Sequence, residues 1–210
     1  MRRSTDSVDV KTPTPKEQLR EIVRQKSVCC GTFTLASGAE SDLYVDAKLT
    51  TSDPRAALLV GRVGWELVKE TAKTRNVEID SIGGLTMGAD WMALSIGIAA
   101  QLDEKSNIQT FSVRKSAKKH GRHKLIEGNF SEGDSVVVVE DVMTTGGSTL
   151  QAIDAIEGAG GDIAFVIVLV DRQEGGRENI ERRGYPVVSI FTRADLIAKD
   201  ADKPSHIAIA

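Results

Sequence analysis

The sequence predicts an α/β fold in which an open, doubly wound and mainly parallel sheet carries helices on both faces. Four short apolar runs have the length expected of strands that are buried on both faces: residues 79–84, 108–113, 135–139 and 163–170. Helical stretches at 89–101 and 148–157 alternate with these runs, and residues 187–192 add a strand near the carboxyl end. Strand, helix and strand in alternation give parallel strands joined by right-handed crossovers.

The segment before the sheet predicts elements of its own. Residues 14–17 form a capping box with proline at the first helical position, which predicts a first helix. Residues 31–49 alternate β-prone pieces with turns, as a small antiparallel or irregular flap would. Residues 53–73 open on Asp-Pro and repeat apolar side chains on one face, so they predict a covering helix.

The length of the chain suits one large domain. At 210 residues it can bury a substantial core but is short for two full domains. Residues 1–13 are polar and lack an apolar period, so we expect a disordered leader. Residues 14–210 then form a single domain, whose flap and hood elements lie within 14–52.

Composition and charge argue against several classes of protein. The net charge of -3 and the pI near 5.7 give no overall attraction to nucleic acids or anionic membranes. No run approaches the roughly 20 apolar residues that a membrane-spanning helix needs, and the amino end lacks the apolar core of a signal peptide. The two cysteines, Cys29 and Cys30, are adjacent, so we expect reduced structural thiols. We therefore expect a cytoplasmic protein without nucleic-acid or membrane partners.

A candidate binding site follows the third apolar run. We take Val136–Val139 as the strand and residues 140–147 as the loop beyond its carboxyl end, where ligands bind in open α/β sheets. Residues 144–149 supply hydroxyls and unobstructed N–H groups at a helix start, which suits a phosphate. Glu140 and Asp141 can accept hydrogen bonds from the vicinal hydroxyls of a ribose. The order favours a pentose phosphate site, and the alternative is a capped turn with two solvated acids.

A basic cluster lies between the second and third apolar runs. Residues 113–124, VRKSAKKHGRHK, hold eight basic side chains in one glycine-broken segment, which predicts an anionic ligand. A solvated basic loop or a nucleic-acid patch is the alternative, although no aromatic side chains are interleaved to stack on bases. The phosphate motifs of nucleoside triphosphatases and of dinucleotide-binding folds are both absent from the sequence.

Several motifs together resemble one family. Residues 140–149, EDVMTTGGST, resemble the phosphoribosyl pyrophosphate (PRPP) signature of the type I phosphoribosyltransferases, and residues 114–121, RKSAKKHG, resemble the mobile catalytic loop of the orotate phosphoribosyltransferases. Residues 33–46 resemble the substrate flap of that family, 82–90 its pyrophosphate loop and 171–176 its orotate-binding turn. The resemblance implies the type I phosphoribosyltransferase fold with a small N-terminal substrate flap.

The resemblance also implies roles for individual residues. Lys118 would be the main catalytic lysine, acting with Glu140 and Asp141. Thr144 and Arg172 would bind orotate, whose carboxylate suits the planar guanidinium of an arginine; the alternative for Arg172 is a salt bridge to Asp171 or Glu174. The residues expected to bind PRPP are Arg114, Lys115, Lys118, His120, Glu140, Asp141, Val142, Met143, Thr144, Thr145, Gly146, Gly147 and Ser148.

The implied reaction joins orotate to the anomeric carbon of PRPP, giving orotidine 5-monophosphate and pyrophosphate in de novo pyrimidine (UMP) biosynthesis. The resemblance implies Mg²⁺ held mainly by PRPP, with no direct protein ligand, and a homodimer in which the 114–121 loop acts on the neighbouring subunit. The alternatives are a phosphoribosyltransferase for another base and a PRPP-binding regulator. Met87 stands where some members of the family have a lysine, and either Gln25 or Lys26 aligns with a lysine that some relatives place near orotate.

Overall fold

Two sheets make up the β structure of the chain. The computed structural model describes residues 12–34, 40–104, 106–116 and 125–197. A two-stranded antiparallel sheet pairs β1 with β2, and a six-stranded sheet has the order β5-β4-β3-β6-β7-β8, parallel except for β5. The strands are β1 (Val28–Thr34), β2 (Glu40–Val45), β3 (Ser81–Leu85), β4 (Gln109–Val113), β5 (Ile126–Gly128), β6 (Ser135–Met143), β7 (Asp162–Asp171) and β8 (Val187–Thr192).

Helices cover both faces of the larger sheet. They are α1 (Pro15–Lys26), α2 (Lys48–Thr51), α3 (Pro54–Arg75), α4 (Gly88–Glu104), α5 (Gly147–Glu157), α6 (Gly176–Glu181) and α7 (Arg193–Ile197). None of the helices in the described part of the chain is long and apolar enough to cross a membrane. The predicted open, mainly parallel α/β sheet is therefore confirmed.

Local sequence signals explain where the first helices begin. The Thr14 hydroxyl accepts from the Glu17 amide at 3.2 Å, and the Glu17 carboxylate accepts from the Thr14 amide at 2.7 Å, which is the predicted capping box. Asp53 caps α3 by accepting from the amides of Arg55 and Ala56 at 2.8 and 3.3 Å. Both caps satisfy N–H groups that a helix start leaves without intrahelical partners.

The valines of β6 form the centre of the core. Val137 and Val139 pack into the layer that contains α3 and α4, whereas Val136 and Val138 pack into the layer that contains α5. All four are buried, as the continuous apolar run predicts for a strand covered on both faces.

Glycines let β3 lie close to its neighbours. A Cβ on Gly84 would fall 2.1 Å from the Val139 carbonyl oxygen, and a Cβ on Gly83 would fall 2.5 Å from the Phe111 carbonyl oxygen. The backbones of β3 and of the strands beside it therefore approach to a distance that only glycine permits.

One boundary was predicted wrongly. β6 continues to Met143, because its ladder with β7 pairs Glu140 with Val168, Val142 with Val170 and Met143 with Asp171. Glu140 and Asp141 therefore lie in the strand, and the loop predicted for 140–147 is shortened to 144–146. The side chains of both acids are thereby fixed by the sheet rather than by a turn.

Several predictions concern residues near gaps in the described chain. The flap forms the β1–β2 pair, although residues 35–39 at its tip lie outside the described residues. Residues 1–11, most of the expected leader, also lie outside them. β4 and β5 flank the basic segment, and the Arg114 amide donates to the Leu125 carbonyl at 2.8 Å. The two ends of the segment between Arg114 and Leu125 are therefore held next to each other at the edge of β4 and β5. Residues 117–124 within it lie outside the described part.

Candidate active site

Two adjacent carboxyl groups stand at the end of β6. Glu140 and Asp141 are each only 7% exposed. The Thr149 hydroxyl on α5 donates to Glu140 Oε2 at 2.9 Å. Asp141 faces the start of α4, where a Cβ on Gly88 would fall 2.3 Å from Asp141 Oδ1, so only glycine fits there. The acid pair is thus enclosed by α4 on one side and α5 on the other.

Burial changes the protonation of this pair. It raises the pKa of Glu140 to about 8, and the negative charge of Asp141 adds to that rise while the Thr149 hydrogen bond opposes it. Burial also raises the pKa of Asp141, against the positive charge of Lys48. Without a ligand the pair therefore retains a proton near neutral pH. Donors such as ribose hydroxyls, or a nearby cation, would favour its ionised form.

The phosphate loop, residues 144–146, connects the acid pair to α5. Gly146 is the N-cap of α5, has φ 80°, and provides no side chain to cap the helix. The first-turn N–H groups of α5 are therefore placed to receive an anion, with the positive end of the helix dipole behind them. Thr145, Gly147 and Ser148 are exposed around this helix start. The predicted phosphate-binding residues are thus brought together at one helix N-terminus.

Arg172 begins the turn after β7, the hydrogen-bonded neighbour of β6. Its amide donates to the Met143 carbonyl at 3.0 Å, which joins this turn to the end of β6. The side chain is 4% exposed, and Nη2 lies 2.6 Å from Glu174 Oε1. Asp171 pairs instead with Arg177, at 3.3 Å. The salt bridge to Glu174 that was the alternative for Arg172 is therefore present.

The basic segment is described only in part. Lys115 is exposed, and its positive charge lowers the pKa of Glu140. Arg114 Nη1 lies 3.7 Å from a carboxylate oxygen of Glu127 on β5. Lys118 and His120 lie outside the described residues, and their roles stay predictions.

The two candidates in α1 for a lysine near orotate, Gln25 and Lys26, each have a partner within the chain. Lys26 forms an ion pair with Asp53, and Gln25 donates to Glu21 one turn earlier. Met87, in the predicted pyrophosphate loop between β3 and α4, is exposed.

Some residues around the site were not singled out from the sequence. Lys48, at the start of α2, pairs with Asp46 at 3.0 Å, and its charge counters the raised pKa of Asp141. Gly88 makes room for Asp141, and Asn179 on α6 donates to the Thr145 carbonyl at 2.9 Å. The sequence YVDAK places a lysine two residues after an acid, but that spacing is too common to indicate a site, and the other two contacts depend on tertiary packing.

Comparison with known proteins assigns the class. A model of the phosphoribosyl transferase domain matches residues 95–195, which include the acid pair, the phosphate loop and Arg172. Together with the open, mainly parallel sheet, this match assigns the chain to the phosphoribosyltransferases.

Similar proteins narrow the class to one family. Orotate phosphoribosyltransferase from Aquifex aeolicus is 40% identical over 185 residues, covering 87% of this chain and 97% of that protein. The enzyme from Mycobacterium avium is 44% identical over 180 residues, covering 86% and 95%. The chain belongs to the orotate phosphoribosyltransferase family. Among solved structures, the Mycobacterium tuberculosis orotate phosphoribosyltransferase in complex with PRPP matches with a TM-score of 0.71 and 37% identity, covering 87% of this chain and 99% of that one.

Proposed function

We propose that this enzyme transfers the 5-phosphoribosyl group of PRPP to orotate, giving orotidine 5-monophosphate and pyrophosphate in UMP biosynthesis. The observation that carries the proposal is the junction of β6 and β7. The acid pair and the phosphate loop follow β6, and Arg172 follows β7 with its amide bonded to Met143. A ribose phosphate on β6 and a carboxylate-bearing base on β7 would therefore meet at adjacent strand ends, where open α/β sheets bind ligands.

The acid pair suits the chemistry at the anomeric carbon. The bond from that carbon to the pyrophosphate oxygen breaks, and the ribose carbon gains positive character. A ring nitrogen of orotate then forms the new bond and gives up its proton, which leaves with the pyrophosphate or passes to solvent. Glu140 and Asp141 would accept hydrogen bonds from the ribose hydroxyls, and their negative charge would stabilise the cationic ring in a buried site. Arg114, Lys115, Lys118 and His120 would stabilise the charge of the departing pyrophosphate, with Lys118 contributing most.

Mg²⁺ is the cofactor that we propose for this site. We expect the ion to be held mainly by oxygens of PRPP, since Mg²⁺ usually binds through substrate phosphates and few protein carboxylates. Mg²⁺ bound in that way would neutralise part of the charge that develops on the leaving pyrophosphate. Glu140 and Asp141 lie where they can face the ribose side of such a complex.

A substrate assay tests which base accepts the phosphoribosyl group. The protein is incubated with PRPP and Mg²⁺ and, in separate reactions, with orotate, uracil or hypoxanthine, while base absorbance is followed. We expect orotate alone to be consumed. Consumption of another base while orotate remains would show a different phosphoribosyltransferase. Binding of PRPP without consumption of any base would favour the regulator.

We also propose that the enzyme is a homodimer whose subunits meet along α3 and α4. These helices expose a contiguous set of large apolar side chains around a groove of about 620 Å³. On this face Leu58 is 69% exposed and Leu102 is 78% exposed. The other exposed members of the set are Leu94 and Ile98.

The exposed apolar side chains of this face favour a second copy of the chain as its partner, since an isologous contact covers the same side chains on both subunits. α3 and α4 run parallel, since Gly61 lies against Ser95 while Trp65, further along α3, donates to Asp103 at 3.2 Å. Asp103 forms an ion pair with Lys69 of its own subunit at 2.7 Å, and the charge of Arg62 also lowers the pKa of Asp103. A two-fold axis across the face would set the α3–α4 pair of each subunit antiparallel to that of the other and cover the exposed apolar side chains of both.

We place the reaction in the cytoplasm. PRPP is a multiply charged compound that does not cross a bilayer unaided, so the enzyme must share the compartment in which PRPP is made. Fractionation of cells, with activity assayed in each fraction, tests this location.

A further inference from the structure

The turn that follows β7 packs directly on the phosphate loop. A Cβ on Gly176 would fall 2.5 Å from the Thr144 carbonyl oxygen and 3.0 Å from the Gly146 amide nitrogen. A Cβ on Gly146 would in turn fall 3.0 Å from the Gly176 carbonyl oxygen. The two backbones therefore touch without intervening side chains, and the start of α6 forms one wall of the phosphate loop.

The side chain of Asn179 on α6 binds the backbone of the phosphate loop. Asn179 Nδ2 donates to the Thr145 carbonyl at 2.9 Å. Because the Thr145 carbonyl can only accept, it selects the NH₂ end of the Asn179 amide, and Asn179 Oδ1 on the other side accepts from Arg182 Nη1 at 3.2 Å. The backbone N–H of Asn179 donates to the Gly175 carbonyl at 3.1 Å, which places Asn179 in the first turn of α6.

This bond controls the direction of a peptide that matters for anion binding. In a trans peptide the carbonyl and the following N–H point in opposite directions. With the Thr145 carbonyl held toward Asn179, the Gly146 N–H points away from Asn179, the orientation in which it can donate to a phosphate. If this peptide turned over, which the glycine at 146 permits, a carbonyl oxygen would face the anion instead.

We propose that Asn179 is a positioning residue for the PRPP phosphate. The inference rests on the proposed function only in naming PRPP as the ligand. Helix α6 follows the turn of Arg172, which is predicted to bind orotate, and the Asn179 side chain orients the loop predicted to bind the phosphate. Asn179 itself contacts the backbone of the loop and not the substrate.

The test compares two substitutions on α6. Asn179→Ala removes the bond to Thr145, and we expect the Kd and KM for PRPP to rise about five- to tenfold, the effect of one lost hydrogen bond. We expect kcat and the KM for orotate to change by less than about twofold, because the phosphate is held equally in the ground state and in the transition state and both lose the same binding. Arg182→Ala, the matched control, removes the contact on Asn179 Oδ1 but keeps the bond to Thr145, and should leave the KM for PRPP near the native value.

Direct binding separates this inference from the proposed reaction. Calorimetric titration of PRPP with Mg²⁺ into each variant requires no turnover, so it reports on Asn179 even if orotate proves not to be the substrate. A native Kd for PRPP in Asn179→Ala would overturn the inference, as would equal weakening of PRPP and orotate. If Asn179→Ala does not fold, Asn179→Asp keeps the size of the side chain, replaces the donor with an acceptor, and should weaken PRPP binding at least as strongly.

Discussion

Glu140 is a carboxyl group whose burial opposes its ionisation. Its pKa is about 8 in the folded protein against 4.5 ordinarily, because burial and the charge of Asp141 both disfavour the anion. Below pH 4.5 both the folded and the unfolded chain hold the proton. As the pH rises toward 8 the unfolded chain loses that proton first, so the free energy of unfolding falls across this window.

Glu140→Gln tests this linkage. The amide keeps the shape of the side chain and an acceptor for the Thr149 hydroxyl, but it does not ionise. We expect the variant to melt at a higher temperature than the native protein at pH 8 and at a similar temperature near pH 4.5, as measured by calorimetry without ligand. Parallel pH profiles for the two proteins would show that Glu140 is ionised in the free enzyme.

Arg172 is expected to recognise the carboxylate of orotate through two parallel hydrogen bonds. A lysine keeps the positive charge but cannot form the planar fork, so Arg172→Lys should raise the KM for orotate about 10- to 100-fold. The KM for PRPP should stay within about twofold, because PRPP is bound from β6. Steady-state kinetics with each substrate varied in turn measure the two values. Equal increases in both would indicate that Arg172 supports the whole site through Glu174.

The sequence predicted those site residues that directly follow a recognisable strand. The acid pair, the phosphate loop and Arg172 stand next to strand ends that an apolar run reveals, and the structure brings them together. Asn179 could not be found in this way, because its partner Thr145 is 34 residues away in sequence. Lys48 reaches the neighbourhood of Asp141 only through the packing of α2, which no sequence period indicates.

Among the elements, β3 depends most on close backbone contact. A methyl group on Gly84 would lie 2.1 Å from the Val139 carbonyl and 2.7 Å from the Ala89 side chain, in the centre of the sheet. We expect Gly84→Ala to lower the free energy of unfolding by about 3 kcal/mol or more, because neither neighbour can move without disturbing β6 or α4. Urea denaturation measures the change.

Gly147→Ala is the matched control for that substitution. The nearest atom to an added Cβ is 4.0 Å away, and the residue is the first of α5, where alanine is well tolerated. Its free energy of unfolding should stay within about 1 kcal/mol of the native value. A similar loss in both variants would mean that replacing any glycine destabilises the protein, and that the contact of Gly84 with Val139 has no special effect.

The long elements were predictable because period and length agree. The strands of the parallel sheet and the helices α1, α3, α4 and α5 all have a clear apolar pattern. α2, β5, α6 and α7 were missed because each has between three and six residues, too few to establish a period. The predicted end of β6 was wrong because two adjacent acidic residues usually mark the end of a buried strand. Here the ladder with β7 continues through Glu140 and Asp141.

For the whole molecule, the expected exchange of the 114–121 loop between subunits predicts complementation. Lys118→Ala should lower turnover by a factor of hundreds or more, and Asp141→Asn should also be nearly inactive. Each mixed dimer would hold one site with both native residues, so a random mixture should recover about a quarter of the native activity. Activity after co-refolding measures this. No recovery in a mixture shown to contain mixed dimers would mean that each loop serves its own subunit.

The proposed dimer face makes a separate prediction. Leu102 is 78% exposed, so Leu102→Glu should leave the fold intact while it places a charge in the interface. We expect the variant to be a monomer by light scattering at concentrations where the native protein is a dimer. Ile197→Glu, on α7 away from this face, is the control and should remain dimeric. A dimeric Leu102→Glu would place the interface elsewhere.

The hydrogen bond from the Arg114 amide to the Leu125 carbonyl affects how far the length and sequence of the basic segment can change. Since β4 and β5 already hold its two ends together, the entropy of closing the segment depends only weakly on how many residues it contains. Length and sequence between these points can therefore change with little effect on folding. The part of the enzyme expected to act on the leaving group is thus open to redesign almost independently of the scaffold that holds the nucleotide.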